Sequence, residues 1–365
     1  MKKLSVLVVD DSAIYRKIVG RGIEALPGVE LVGYAEDGLD AIQKVQQLRP
    51  DLLLLDIEMP RMDGLQTIRE LKRKRSKTGV IVVSSVDVRA CSKTLSAIQQ
   101  GAFELVAKPG VCADGSARDI LARDIGKAIE AFRFSKKPRV QAPLPTPSSK
   151  PKGPTRAAPV GATGLPNMNV QESYEILVIG ISTGGPAALS KVIPKLAAKF
   201  PIPIVIVQHM PAGFTKHLAE TLNGTSNVTV VEGEQGMTAK AGQVVIAPGG
   251  YHLSLSGSRV SPQIKLDEGP MVNGARPAVD RLFESTAKMF GPRALCAVMT
   301  GMGTDGMEGA RAIRNAGGYC ITQDQASCIV YGMPKAVADA GLANEVVTLL
   351  EMEKRMQMLA MRKSR

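Results

Sequence analysis

The sequence predicts two α/β domains, each a doubly wound parallel sheet, joined by a flexible linker. Three observations carry that expectation. Strand-like apolar runs alternate with helix-like segments from Leu4 to about Phe134. The alternation stops over a stretch rich in proline and lysine, then resumes from about Tyr174. Strands alternating with helices imply parallel pairing through right-handed crossovers. The expected bounds are 1–133 for the first domain, 134–171 for the linker and 172–365 for the second.

In the first domain the strand-like runs are LSVLVV, VELVGYA, LLLLD, GVIVVS and FELVAK. Helix-like segments include SAIYRKIVGRGIEAL, GLDAIQKVQQL, GLQTIRELKRKR and RDILARDIGKAIEAFRF. The linker holds eight of the 23 prolines and has no apolar periodicity. It cannot bury enough surface to offset its ordering entropy. The second domain offers EILVIGI, PIVIVQ, VTVVE, QVVIAP, LSLSG and ALCAVMT as strands. Its expected helices are GPAALSKVIPKLAAKF, GFTKHLAETL, AVDRLFESTAKMF, DGMEGARAIRNAG and EVVTLLEMEKRMQMLAM. Methionines in the last of these recur at helical spacing and read as packing residues.

The net charge of +12 looks like a nucleic-acid signal until it is located. Residues 134–171 carry six basic and no acidic side chains, so half of the excess lies in the linker. Each domain is close to neutral, which argues against a general DNA or RNA surface. The five cysteines (Cys91, Cys112, Cys296, Cys320 and Cys328) are scattered without a C-x-x-C pair. Neither a disulfide framework nor a zinc site is expected, and a reducing cytoplasm fits. The opening apolar run is cut by paired aspartates, too soon for a signal-peptide core. No stretch approaches the ~18 apolar residues that span a bilayer.

In an open parallel sheet, ligands bind at the edge formed by the carboxyl ends of the strands. Asp10 and Asp11 follow the first strand-like run and Asp56 the third. Ser84 ends the fourth, and Lys108 follows the fifth. Each residue alone reads as a solvated turn residue. Together, three carboxylates repel unless a cation joins them, and a hard ion such as Mg²⁺ takes oxygen ligands. The set suits phosphoryl transfer onto Asp56, with Lys108 and Ser84 holding phosphoryl oxygens. With the stretches VVDDS, LLLLDIEMPRMDGL and AKPG, residues 1–130 resemble a response-regulator receiver domain. That resemblance implies a flavodoxin-like sheet and phosphorylation at Asp56. It also implies Mg²⁺ on Asp10, Asp11, Asp56 and the Glu58 carbonyl, and switch roles for Ser84 and Lys108. Leu105 stands where receivers commonly carry an aromatic switch residue.

In the second domain, Gly180-Ile181-Ser182-Thr183-Gly184 presents a serine on a glycine-flanked turn at a strand end. The run VIVQ leads into His209, and CAVMTGMGT leads into Asp305. A hydroxyl, an imidazole and a carboxylate at three strand ends make a serine hydrolase the first reading. His217, within a helical pattern, reads as structural or exposed, and His252 stays open on position alone. Asp280 and Asp324 are weaker acids for the triad, Asp280 reading as a solvated helix face. The N–H groups of Thr183 and Met302 are the nearest oxyanion donors. GISTGG also admits a phosphate-loop reading, although it lacks the full G-x-G-x-x-G spacing.

The stretches GISTGGPAAL, VIVQHMPAGFT, APGGYHLSL, MTGMGTDGMEGA and SCIVYGMPKA are similar to the catalytic domain of the chemotaxis protein-glutamate methylesterases. The resemblance implies a Rossmann-like sheet with a triad of Ser182, His209 and Asp305 and no cofactor for the esterase step. It implies a cytoplasmic hydrolase that removes methyl groups from γ-glutamyl esters on chemoreceptors and deamidates receptor glutamines. A chemotaxis histidine kinase would supply the phosphoryl group. The unphosphorylated receiver is expected to pack over the serine edge and obstruct it. Two rival classes are a phospho-switched binding module with an idle serine site and a transcription regulator. The second lacks a helix-turn-helix pattern and a basic output half.

Overall fold

Strands whose every residue is apolar belong inside a sheet covered on both faces, and helices supply that cover. The computed structural model describes residues 3–109, 116–136 and 173–361. In the first unit, β1 (Leu4–Val9), β2 (Val29–Ala35), β3 (Leu52–Leu55), β4 (Gly79–Ser84) and β5 (Glu104–Ala107) form one sheet. Its order is β2-β1-β3-β4-β5, and every pair is parallel. The helices are α1 (Ala13–Glu24), α2 (Gly38–Leu48), α3 (Gly64–Arg73), α4 (Val88–Gln99) and α5 (Ser116–Lys136). Ser12, Asp37, Asp63 and Asp87 cap the first four by accepting N–H groups of the first turn. The segment forming α4 is not among the helices read from the sequence. Helix α5 runs three residues past the expected bound at 133. Most of the expected linker, 137–171, lies outside the described residues, as does Cys112.

The second unit begins with β6 (Ile176–Ile181), α6 (Gly185–Val192), β7 (Ile204–Gln208), α7 (Phe214–Asn223), β8 (Thr229–Glu232) and β9 (Gln243–Ile246). A hairpin of β10 (His252–Ser258) and β11 (Ser261–Asp267) follows, then α8 (Val279–Phe290), β12 (Ala294–Val298) and α9 (Met307–Asn315). The chain continues with β13 (Tyr319–Gln323), α10 (Met333–Asp339), β14 (Glu345–Val347) and α11 (Leu349–Ala360). The seven-stranded sheet has the order β14-β13-β12-β6-β7-β9-β8 and is parallel throughout.

Three local expectations change. The LSLSG run does not join the main sheet but pairs antiparallel with β11. The valines of the supposed last helix form β14 instead, and Thr348 caps the helix that follows, with Glu351 completing the capping box. Helix α6 stops at Val192 in a 3₁₀ turn, because Pro194 has no N–H to continue it.

The two units are in contact. Helix α4 packs on α6 and α7. Leu95 and Ile98 of α4 share one buried apolar cluster with Ala188, Leu189 and Phe214. At the rim, Gln99 Nε2 lies 3.5 Å from Ser190 Oγ, and Lys127 Nζ donates to the Gly274 carbonyl at 3.2 Å. Among the described residues no helix is long and apolar enough to cross a membrane.

Candidate active site

Strands β12, β6 and β7 are adjacent in the middle of the second sheet, so their carboxyl ends share one stretch of edge. Ser182 follows β6 directly, and its N–H donates to the Thr300 carbonyl at 3.0 Å. The chain turns at once into α6 through Gly184, whose φ of +78° favours glycine. A side chain at Gly185 would meet Gln208 Oε1 at 1.8 Å. That close approach lets the Gln208 amide donate to the Ser182 carbonyl (3.0 Å) and the His209 carbonyl (3.2 Å). The Ser182 turn and the His209 segment are thus fixed to one another through the Gln208 side chain.

The His209 ring reaches across the edge to Asp305, with Nε2 and Oδ2 2.8 Å apart. A carboxylate only accepts, so Nε2 donates this bond, and in the neutral ring the lone pair is on Nδ1. Ser182, Thr183, His209, Met302 and Asp305 all line one cleft of about 500 Å³. Among the described contacts, Ser182 and His209 make no hydrogen bond to each other, and neither the Thr183 nor the Met302 N–H has a partner.

Asp305 is held by more than histidine. Its Oδ2 also accepts from Val279 N (2.7 Å), and its Oδ1 accepts from Asp280 N (3.1 Å), Gly306 N (3.0 Å) and Asn273 Nδ2 (3.2 Å). Asp280 reciprocates. Its Oδ1 accepts from Gly306 N (2.9 Å) and Gly309 N (2.7 Å), and its Oδ2 from Asn273 Nδ2 (2.8 Å). Each acid therefore caps the helix that the other one borders. This explains why α8 and α9 have no side-chain cap of their own.

The two acids titrate apart. Burial opposes ionisation of Asp305, but the His209 ring and the helix N–H groups outweigh it and draw the carboxyl down to about 2. Burial pushes Asp280 up to about 6, with the neighbouring Asp305 charge adding to it against the pull of the Gly309 N–H. Asp280 is thus not the solvated helix residue that the sequence pattern implied, being only 5% exposed. Asn273, which bridges both acids, was not among the sequence candidates. Its φ of +52° in a short loop carries no signature that composition reveals.

The other candidates lie apart. His252 is buried at the start of the hairpin and bonds the Pro270 carbonyl through Nε2 at 2.9 Å. His217 bonds the Gly213 carbonyl one turn back in α7. Asp324 binds the Ser327 N–H at 3.1 Å in its own turn.

In the first unit, Asp10, Asp11, Asp56, Ser84 and Lys108 gather at the carboxyl edge of the sheet. Lys108 Nζ lies 2.7 Å from both Asp10 Oδ2 and Asp56 Oδ2. Ligand oxygens of Asp10, Asp11 and Asp56 fall within 4.8 Å of one another, an all-oxygen donor set that fits a hard divalent ion. Burial raises the Asp56 carboxyl to about 6, although Lys108 pulls against it. Ser84 is fully buried at the end of β4. The Glu58 side chain pairs with Lys93 at 3.3 Å.

The receiver-like unit also forms one wall of the serine cleft. Glu104 and Leu105 of β5 and Arg123, Lys127 and Glu130 of α5 line it together with Ser182, His209 and Asp305. Leu105 is 7% exposed and belongs to the apolar cluster that continues into the second unit.

Comparison with known proteins gives a consistent answer. A family model described as CheB methylesterase matches residues 177–356, and one described as response regulator receiver domain matches residues 6–114. A protein-glutamate methylesterase/protein-glutamine glutaminase of Symbiobacterium thermophilum is 40% identical over 95% of this chain and 94% of its own length. One of the same name from Nocardioides sp. is 41% identical over 96% of this chain and 94% of its own. The crystal structure of the Thermotoga maritima CheB methylesterase catalytic domain is similar, with a TM-score of 0.50 and 43% identity. The match covers 51% of this chain and 99% of that one.

Proposed function

This chain belongs to the CheB methylesterase family, in the form that carries a receiver domain, and from that premise we propose how its residues do the work. It is a hydrolase of methyl-esterified protein glutamates and of protein glutamines, regulated by phosphorylation in chemotaxis. We assign the catalytic unit to 172–365, the receiver to 1–133 and the tether to 134–171. The substrates are the glutamyl side chains of chemoreceptors, and the place of action is the cytoplasm.

Ser182 Oγ attacks the γ-carbonyl carbon while His209 Nδ1 takes its proton. Asp305 holds the Nε2 proton and stabilises the imidazolium that forms. The negative oxygen of the tetrahedral intermediate is received by the N–H groups of Thr183 and Met302, which no other group engages among the described contacts. Collapse expels methanol, or ammonia from a glutamine, with the proton returned from His209. Water then attacks the γ-glutamyl ester of Ser182, His209 again removes its proton, and glutamate leaves. The observation that carries this reading is the 2.8 Å His209–Asp305 contact in the cleft that also holds Ser182. Methanol release from methylated receptor, compared between wild type and Ser182→Ala, tests it. Retained release in a folded Ser182→Ala protein would refute it.

Asp56 is the phosphoryl acceptor, with a histidine kinase as donor. Asp10, Asp11, Asp56 and the Glu58 carbonyl would hold Mg²⁺, which when bound neutralises phosphoryl oxygens. Lys108 now spans Asp10 and Asp56, so a phosphoryl group on Asp56 must break that pairing and draw Lys108 and Ser84 toward it. Both lie next to the interface. Ser84 leads into α4, and Lys108 follows the strand that bears Glu104. We therefore read the described arrangement as the resting, covered state, which phosphorylation loosens.

A further inference from the structure

Covering a cleft requires only bulk, yet the receiver places a particular side chain in it. Glu104 starts β5, an edge strand paired on one side only, with β4. Successive strand residues point to opposite faces, so Leu105 enters the apolar cluster while Glu104 turns elsewhere. It turns toward the serine site, lining the same cleft as Ser182, Thr183 and His209. Its Oε1 accepts the Leu105 N–H at 3.0 Å. Burial raises its carboxyl above the ordinary range, while the Thr183 hydroxyl, the Leu105 N–H and the His209 ring favour the charged form.

Among the described residues no lysine or arginine forms an ion pair with Glu104. A half-buried carboxylate without a cation is an expensive packing choice unless its neighbours are fitted to carboxylates. Those neighbours are the nucleophile's own flank and the catalytic base. The group they receive is a –CH₂CH₂COO⁻ side chain, which is also the product that leaves this site.

We propose that Glu104 is an internal stand-in for the product, its γ-carboxylate occupying the glutamyl pocket beside Thr183 and His209 while the receiver is docked. Thr183 then contacts the glutamyl head group as well as lending its N–H to the oxyanion. The inhibitor is tethered in the same chain, so even a weak fit is held at an effective concentration in the millimolar range. Docking does not depend on it, since α4 against α6 and α7 and the Lys127–Gly274 bond hold the units together elsewhere. Phosphorylation shifts the end of β5 and withdraws the side chain, opening the pocket to a receptor glutamate. The proposal rests on Ser182 being the nucleophile, as assigned above.

The test uses the full chain, unphosphorylated, with initial demethylation rates for wild type, Glu104→Ala, Glu104→Asp and Glu104→Gln. The alanine and the shorter aspartate are expected to raise the resting rate by about tenfold, within the usual range of coupling between sites. Glutamine, of equal length but without the charge, should raise the rate less than alanine does. A peptide bearing an unmodified glutamate should inhibit Glu104→Ala at lower concentration than it inhibits wild type. Hydrogen exchange in α4 should stay as slow in all variants as in the resting protein. An unchanged rate in Glu104→Ala would overturn the proposal. So would α4 exchange rising to its phosphorylated level in that variant, which would make Glu104 a docking contact only. Phosphorylated wild type assayed beside Ser182→Ala separates the two readings, because loss of Ser182 dependence there would indict the triad and not Glu104.

Discussion

Each half of the molecule buries two carboxylates side by side, and the two halves neutralise them by opposite means. In the receiver, Asp10 and Asp56 share the ammonium of Lys108. In the catalytic half, Asp280 and Asp305 share main-chain N–H groups at two helix starts and the Asn273 amide. One carboxyl in each pair is raised by burial to about 6. A side-chain cation can be traded for a metal ion or a phosphoryl group, whereas helix N–H groups cannot be traded. Under the proposed roles, the receiver pair is therefore suited to change its charge, and the Asp280–Asp305 pair to hold one geometry through a reaction cycle.

The largest effect should come from undoing the fixed pair at the histidine. Asp305→Asn offers His209 an amide that can present a donor to Nε2 and so select the wrong tautomer. Such a change costs on the order of 10³–10⁴ in kcat in triad hydrolases. Steady-state methanol release in the phosphorylated protein measures it, and a loss below tenfold would break the assignment of Asp305. Next comes Asp56→Asn, which should abolish stimulation by a phosphodonor, a coupling of roughly 5–150-fold, while leaving the resting rate intact.

Stability sharpens the contrast, because the same exchange at the two raised carboxyls should have opposite signs. Asp56→Asn removes a charge that burial disfavours, and should stabilise the protein at pH 7 by about 1–3 kcal/mol. Asp280→Asn sets an amide NH₂ against the Asn273 NH₂ or against the Gly306 and Gly309 N–H groups. That should cost about 1–3 kcal/mol. It should also lower kcat by displacing Asp305. Chemical denaturation of both variants reads the two signs directly, and equal signs would sink the comparison.

The smallest effect is in pH. Asp56 binds its proton more tightly folded than unfolded, so its contribution falls as pH rises from about 4 through about 6. Mg²⁺ should restore that loss. Asp305 runs the other way, since its carboxyl is lowered to about 2. Its contribution is present above about 4 and disappears as pH falls toward 2. Unfolding free energy measured across pH with and without Mg²⁺ checks both slopes.

Much of this was legible in the sequence, for a physical reason. Residues such as Ser182, His209, Asp56 and Lys108 stand at the ends of long apolar strands, and a parallel sheet brings such ends to one edge whatever the details of packing. What stayed hidden depends on contacts between segments. The role of Asp280 exists only because α8 meets α9. Asn273 is placed by a local turn, and Glu104 reaches the cleft only through the docking of one domain on another. Helix α4 escaped notice because the apolar face that Cys91, Leu95 and Ile98 form is short and is completed only by the second domain. The hairpin strand β11 alternates apolar with polar residues and includes Pro262, which weakened its strand signal.

The central claim is that the receiver, docked as described, restrains a competent Ser182 site. Initial demethylation rates of three forms test it: the full chain, the full chain phosphorylated at Asp56, and residues 174–365 alone. The account predicts a slow resting rate and faster, mutually similar rates in the other two. Equal rates in all three would contradict it.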